Sequence, residues 1–473
     1  MTASTASAPQ AEHPARHLPK PEIKIAYIGG GSRYWARDLM KDLALTSHLT
    51  GVIELYDINH QAAERNVGFA KAIFSSEKAI SQFEVRANPD LDDTLRGADF
   101  VVLSIEPGPV EMRFAELEIP QKYGVFQPVG DTVGPGGLIR ALRAIPAYLE
   151  FAHAIMQNSP RAWVINYTNP MSLCTRALHA AEPGIQAFGC CHEVFGSQNR
   201  LAKMVTRRME TPDISRRDIK VDVNGVNHFT WITQALWEGQ DVLPMLREEV
   251  SEPGIYEDKS PASRARKAQG KWFGDEGLVT ADLTRRFGAM AAAGDRHLVE
   301  FVPWYALSEE NLHRWGVVLT PYSFRYKRST EADVSLDSYD QNAINPSGEE
   351  GVKQMEALLG LRDLDTNVNL PNTGQSAQFP PRAVVETNAQ FRRNSLKPVH
   401  AKPLPTPVAG LVRRVIDMQE LTLTAAMERS APIAFQALLM DPLARLSTDT
   451  AAEMFRDMLD HTRPMLDGWD LKI

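Results

Sequence analysis

The sequence predicts an α/β fold: an N-terminal Rossmann-like, doubly wound parallel sheet followed by a C-terminal mixed α/β domain. Three observations carry that prediction. An apolar, strand-like run at 23–28 leads directly into Gly29-Gly30-Gly31-Ser32 and then into a helical stretch. From there to about residue 210, short apolar runs alternate with helical stretches, the pattern of βαβ units and a parallel sheet. Beyond about residue 218 the alternation stops, and strand-like segments follow one another before a long helical C-terminus.

The opening strand, glycine turn and helix (34–45) form a dinucleotide-binding entry. Glycines let the backbone approach a pyrophosphate, and a helix N-terminus offers N–H groups and positive potential. Gly29 and Gly31 satisfy the G-x-G spacing, but Tyr34 stands at the third glycine position. A second strand, 52–56, ends at Asp57. An acidic side chain there suits a ribose 2′-hydroxyl and repels a 2′-phosphate, so NAD is expected rather than NADP. The competing role for Asp57 is N-cap of a helix at 60–80.

Strands at 83–85 and 99–105 follow. The second is a near-continuous apolar run, as central parallel strands are. A helix is expected at 112–122. Residues 130–137 hold four glycines and a proline, and read as a flexible loop able to close over a ligand before a helix at 138–156. The strand at 162–165 leads into Asn166-Tyr167-Thr168-Asn169-Pro170, whose asparagines suit cofactor ribose and sugar hydroxyls. The helix at 171–181 carries Cys174 on its apolar face, a core position. A strand at 185–188 then enters Gly189-Cys190-Cys191-His192-Glu193-Val194-Phe195-Gly196, with a helix at 197–208 behind it. Thiols and an imidazole therefore fall at the carboxyl end of a strand, where open α/β sheets place their ligands.

In the C-terminal part, segments 219–223 and 229–235 read as antiparallel strands with Gly225-Val226-Asn227-His228 between them. Helices are expected at 242–250, 261–272 and 278–287, with 291–297 breaking the last. Residues 322–345 are polar and read as mobile. A helix at 348–359, strands near 367–370, 384–391 and 399, and helices from 408 to 465 complete the chain.

Composition excludes several classes. The chain has 473 residues, 43% apolar and 23% charged, with a net charge of −8. That balance belongs to soluble globular proteins and argues against nucleic-acid and membrane-surface partners. Residues 1–20 lack an apolar core and read as a disordered tail. Three cysteines, two of them adjacent, make a poor disulfide framework, so a reducing cytoplasm is expected.

A thiolate at Cys191 and a neutral imidazole at His228 are good ligands for Mn, Fe, Co, Ni or Zn. Two strong ligands leave positions open for substrate oxygens. A buried thiol and a core histidine are the competing roles.

Taken together, Gly29 to Ser32, Asp131 to Gly137, Asn166 to Pro170, Gly189 to Gly196 and Gly225 to Trp231 resemble family 4 of the glycoside hydrolases, in the right order over nearly the whole ordered chain. Within that family the resemblance is greatest to bacterial α-galacturonidases. Cys-Cys-His-Glu-Val-Phe-Gly and Ala292-Ala293-Gly294-Asp295-Arg296-His297 carry it. The resemblance implies a lactate/malate dehydrogenase-like C-terminal architecture. It also implies hydrolysis of small pectin-derived oligogalacturonates by transient NAD-dependent oxidation at C3, metal-assisted C2 deprotonation, elimination, water addition and re-reduction. An adjacent carbonyl on a Lewis acid is what brings an unactivated C–H within reach of a base.

Carried over by position, Cys191 and His228 are the metal ligands, the metal most often being Mn2+. His192 is the general acid or a metal-site group, Asp295 the C2 base, and Asn169 a substrate ligand. Gly29, Gly30, Gly31, Ser32, Asp57 and Asn166 fall on the dinucleotide side. A uronide substrate needs a cation for its carboxylate, and Arg296 and His297 are candidates. The implied domains are a nucleotide-binding unit at 21–210 and a catalytic and oligomerisation unit at 211–473, assembled as a homodimer or homotetramer. Alternatives are an α-glucuronidase, α-glucosidase or α-galactosidase with the same mechanism, an NAD-dependent hydroxy-acid dehydrogenase, or a non-catalytic NAD sensor.

Overall fold

The computed structural model describes residues 21–331, 333–340 and 344–473; the expected disordered tail at 1–20 lies outside them. Six parallel strands form the N-terminal sheet: β1 (Glu22–Ile28), β2 (Thr50–Tyr56), β3 (Phe83–Ala87), β4 (Phe100–Leu103), β5 (Trp163–Asn166) and β6 (Gln186–Gly189). Their order across the sheet is β3-β2-β1-β4-β5-β6. This is the strand order of dinucleotide-binding folds, with the switch point between β1 and β4.

The sheet has a core on each side because its strands alternate. In β1, Ala26 and Ile28 join one apolar cluster, and Ile23, Ile25 and Tyr27 join the other. The first face is covered by helices Gly134–Asn158, Met171–Ala181, Thr406–Glu428, Ala431–Met440 and Thr448–Thr462. The second is covered by Trp35–Ala44, His60–Phe74 and Gly351–Leu358.

A second sheet contains β7 (Lys220–Val226), β8 (Phe229–Trp237), β9 (Gln240–Asp241) and β10 (Met290–Ala291). The hairpin β7–β8 turns through only Asn227 and His228, with Val226 paired to Phe229. The C-terminal part then returns to the first sheet. Strands β11 (Leu364–Pro371), β12 (Val384–Arg392) and β13 (Ser395–Pro398) extend it antiparallel to nine strands, β11 meeting β6 at Asn369↔Gly189. Sequence periodicity does not reveal this return, because sheet membership is a long-range pairing.

Several expected boundaries move. The first long helix behind the glycine-rich segment begins at Gly134, so only residues 130–133 are loop. Close packing explains it: a Cβ on Gly136 would stand 2.6 Å from the Glu116 carbonyl oxygen, and one on Gly137 would stand 2.5 Å from the Thr132 carbonyl carbon. These glycines let a buried helix start against its neighbours rather than supply flexibility. The helix expected at 60–80 stops at Phe74. The helix expected from 197 starts at Glu193, with His192 as its N-cap. Much of the polar stretch read as mobile is a helix, Tyr322–Thr330, and a single turn, Leu336–Ser338. Contacts from distant residues hold it: Asp333 accepts from Arg37 Nη1 at 3.0 Å, and Arg33 Nη1 donates to the Glu331 carbonyl at 2.7 Å. Short helices at Leu91–Leu95, Asp295–Phe301 and Glu309–Arg314 were not expected.

Candidate active site

The carboxyl ends of β1, β4, β5 and β6 open on one edge of the sheet. At β1 the chain turns sharply. Gly29 and Gly30 N–H both donate to the Tyr56 carbonyl at 2.9 Å. Gly29 has φ +93°, and a Cβ there would run into the Ser104 carbonyl after β4. Asp57 closes the turn from β2: one carboxylate oxygen accepts from Gly31 N at 2.9 Å and the other from Asn59 N at 2.8 Å. Asp57 thus holds the turn and the next helix start together. Ser32 accepts from Trp35 N at 3.2 Å, capping the first helix, so its hydroxyl serves the turn.

At the end of β5, Asn166 is fully buried and saturated. It accepts from Tyr148 Oη at 2.6 Å and Thr168 N at 2.9 Å, and it donates to Thr175 Oγ1 at 3.2 Å. Expected on the dinucleotide side, Asn166 here shapes the turn that presents Asn169. Asn169 is different. Its Nδ2 donates to Asp131 Oδ2 at 3.3 Å, its carbonyl accepts from Arg140 Nε at 2.9 Å, and its Oδ1 is buried with no partner. A buried acceptor without a donor is what a bound hydroxyl would satisfy.

The metal-competent group is Asp131, His228 and His297, whose ligand atoms lie within 4.8 Å of one another. The His228 and His297 imidazoles lie with centroids 3.9 Å apart, their planes tilted by 35°. Thr132 Oγ1 donates to Asp131 Oδ1 at 2.7 Å and lies 2.8 Å from His228 Nδ1. A hydroxyl has one proton, and an ionised carboxylate can only accept. Thr132 therefore gives its proton to Asp131, His228 carries its own on Nδ1, and the Nε2 lone pair is left free. His228 also sits at φ 63°, a left-handed conformation strained for a non-glycine residue. Burial lowers its imidazole to about 3, and burial lowers His297 to about 4. Burial alone would raise Asp131, but His297, His228 and Arg140 outweigh it and hold the carboxyl well below its ordinary value. Two neutral imidazoles and a carboxylate form a donor set for a divalent cation.

Cys191 is buried at the end of β6, outside that group. Its thiol is pushed up, first by burial and then by Glu386 and Glu193, against the opposing effect of Asn227, the residue before His228. Its carbonyl accepts from Asn367 Nδ2 at 3.3 Å, which ties β6 to β11. His192 is half-exposed, with Nδ1 2.6 Å from Glu349 Oε1. That contact raises its proton affinity above the ordinary value despite burial.

Asp295 does not join the cluster. Its carboxylate accepts from Val279 N at 3.2 Å, Thr280 N at 2.9 Å and Thr280 Oγ1 at 3.1 Å. It caps the start of helix Leu278–Phe287, and burial, with Asp275 next, raises it to about 7. Arg296 donates to the Pro128 carbonyl at 2.7 Å and to Thr320 Oγ1 at 2.5 Å, so part of its fork holds the loop ahead of Asp131. That loop is pinned from below by Glu300, which accepts from Val129 N at 2.6 Å and Gly130 N at 3.0 Å. Asp131, Thr132, Glu300 and Glu349 were not named as site residues from sequence. The first two lay inside a motif that was visible; nothing local marks Glu349 or Glu300.

A 3-2-1-4-5-6 sheet with a glycine turn at its switch point, and a cation-ready donor cluster on the same edge, defines a dinucleotide-type enzyme fold with a metal-competent centre. The chain belongs to family 4 of the glycosyl hydrolases and is a glycosidase: the "Family 4 glycosyl hydrolase" profile matches residues 24–207, and the family's C-terminal domain matches 223–444. The chain is 44% identical to the alpha-galacturonidase of Thermoanaerobacterium saccharolyticum, covering 95% of this chain and 98% of that protein. It superposes on the crystal structure of the lplD protein of Bacillus subtilis with a TM-score of 0.85 at 43% identity, covering 93% of this chain and 100% of that one. A 6-phospho-alpha-glucosidase from gut microorganisms, solved with NAD and Mn2+, shares the fold with a TM-score of 0.73 at 20% identity, covering 95% of this chain and 100% of that one. Among the described residues no helix is long and apolar enough to cross a membrane.

Proposed function

We propose that this glycosidase hydrolyses α-galacturonides, small oligogalacturonates such as digalacturonate, with NAD and a divalent metal, Mn2+ foremost. The observation that carries the reading is the Asp131–His228–His297 cluster, tied through Asp131 to Asn169 beyond β5, in a chain 44% identical to an alpha-galacturonidase. The glycine turn, Asp57 and the helix start at Trp35 fit a dinucleotide: only glycine survives the contact of residue 29 with Ser104. His228 Nε2, His297 and the Asp131 carboxylate fit the metal, with Cys191 approaching from β6 behind Asn227. When bound, NAD supplies reversible hydride acceptance and the metal supplies Lewis acidity next to the sugar carbon that is to lose a proton.

The chain's own residues do the rest. Asn169 Oδ1 accepts from a sugar hydroxyl. Asn166 and Arg140 fix the turn that aims it. His192, whose proton affinity Glu349 raises, donates to the leaving oxygen. Asp295 has the proton affinity expected of a base working near neutrality, and acts once its cap on Val279 and Thr280 is exchanged for substrate. In this reading residues 21–210 bind the nucleotide and 211–473 carry the base, His228 and the subunit contacts of a homodimer or homotetramer. The free cysteines fit a cytoplasmic home.

The test is digestion of digalacturonate in D2O with NAD, Mn2+ and a thiol reductant, read by NMR. Galacturonate deuterated at C2 without net NADH is expected. Cleavage of a neutral glycoside but not digalacturonate would overturn the choice of sugar, and steady NADH accumulation would overturn the mechanism.

A further inference from the structure

Among the described residues Arg325 is a cation with no ion-pair partner. It lies on helix Tyr322–Thr330, which leans on helix Arg113–Lys122 through an edge contact of Phe114 with Tyr322 at 5.4 Å. Tyr322 N also donates to Glu118 Oε1 at 3.0 Å. Just past the helix, Glu331 and Asp333 are tied to Arg33 and Arg37 beside the glycine turn. The helix therefore spans the carboxyl ends of β1 and β4. Among the described residues no ion pair or side-chain hydrogen bond engages the Arg325 guanidinium, and its Nε is buried.

Its surroundings make that costly. Phe273 holds the Arg325 guanidinium 5.7 Å from its ring centre and the Arg296 guanidinium 4.8 Å from it. Both arginines feel the Asp131 carboxylate, and Arg296 opposes the charge on Arg325; burial and then Arg113 push Arg325 down to about 10. Arg296 Nε is buried without a partner as well. Two guanidinium groups thus share one aromatic wall, next to His297 of the donor cluster, and among the described residues neither is in an ion pair. An anion placed between them would gain charge-assisted hydrogen bonds and relieve the repulsion.

We propose that Arg325, with Arg296, is the receptor for a carboxylate on the substrate sugar and sets the preference for a uronide over a neutral glycoside. The proposal rests on the glycosidase reading above and adds Arg325 to it. A planar carboxylate meets the guanidinium fork with two parallel hydrogen bonds; a hydroxymethyl group in its place leaves Arg325 and the Nε of Arg296 without an anionic partner.

The test measures binding of galacturonate, galactose and galactose 6-phosphate to the holoenzyme, with NAD and Mn2+ present, for the wild type, Arg325→Gln and Arg325→Lys. Wild type is expected to prefer galacturonate. Arg325→Gln loses that preference by about 10- to 100-fold, the range for a hydrogen bond to a charged group. Arg325→Lys loses less. Galactose and NAD affinities stay unchanged in both variants, which shows that the fold is intact. Full preference retained in Arg325→Gln overturns the receptor while leaving the uronide reading standing. No preference in the wild type overturns both. Tighter binding of galactose 6-phosphate than of galacturonate in the wild type overturns the choice of carboxylate.

Discussion

Glu116→Gln tests the buried charge network that supports the site. Glu116 is fully buried on helix Arg113–Lys122. Its carboxylate accepts from Arg143, lies 3.4 Å from Arg140 Nη1 and 3.6 Å from Arg113 Nη1. Glu106 is the other acid of the group, paired with Arg113 at 2.7 Å and with Arg140. At about 3.5 Å and an effective dielectric of 20, each contact is worth roughly 5 kcal/mol before desolvation. Desolvation of the ions offsets most of this, and removing one partner of such a buried group costs about 3–5 kcal/mol net. With an unfolding entropy of about 2 cal/mol/K per residue over roughly 450 ordered residues, that loss lowers Tm by about 3–5 °C. Because Arg140 also holds the Asn169 carbonyl, kcat/KM falls as well, by about 10-fold, the worth of one misdirected hydrogen bond. Calorimetry and initial rates read the two effects. A second substitution, Arg143→Met on top of Glu116→Gln, removes a stranded charge and regains part of the Tm. A Tm within about 1 °C of wild type and unchanged kcat/KM for Glu116→Gln would refute the view that the network is held by charge pairing and positions Asn169.

Gly29→Ala forces a Cβ into the Ser104 carbonyl at φ +93°, so NAD affinity drops at least about 10-fold by titration calorimetry while the metal content is kept. Burial raises Glu300 from 4.5 to about 8. The folded state then binds this proton more tightly than the unfolded chain. The stabilisation is complete below pH 4.5 and is lost as pH rises through 8, by at most about 5 kcal/mol. Denaturation midpoints between pH 5 and 8.5 should fall less steeply in Glu300→Gln than in wild type; identical slopes would exclude Glu300 as the group involved. His228→Asn and His297→Asn each lose bound Mn2+ by metal analysis with NAD affinity retained. Cys191→Ser separates the donor sets: lost metal makes the thiol a ligand, and retained metal confines ligation to the Asp131 cluster.

The Rossmann-like N-terminal half was readable because its signals are contiguous. An apolar run, three glycines and an acidic residue at the next strand end occupy 23–57, and each acts through its own backbone. The apolar β4 run and the helix at 171–181 were equally plain, the latter with its observed bounds. Glycine misled at 134–137, since a small residue permits close packing as readily as it permits motion, and only the neighbours decide which. Polarity misled over 322–345 because long-range contacts hold its middle, where the Glu331 carbonyl accepts from Arg33 and Asp333 pairs with Arg37.

Sequence alone determined the fold class, the family and the glycine turn. Tertiary structure decided which groups meet. Thr132 and His228 are 96 positions apart, and the hydrogen bond between them fixes the imidazole tautomer. Asp295 adjoins a site histidine in sequence by two positions, yet its carboxylate turns to a helix start that its own segment does not contain. Arg325 lay in a stretch without a visible pattern and became informative only by what it lacks. Side-chain partners are set by packing across the whole chain, and a local sequence pattern carries no record of them.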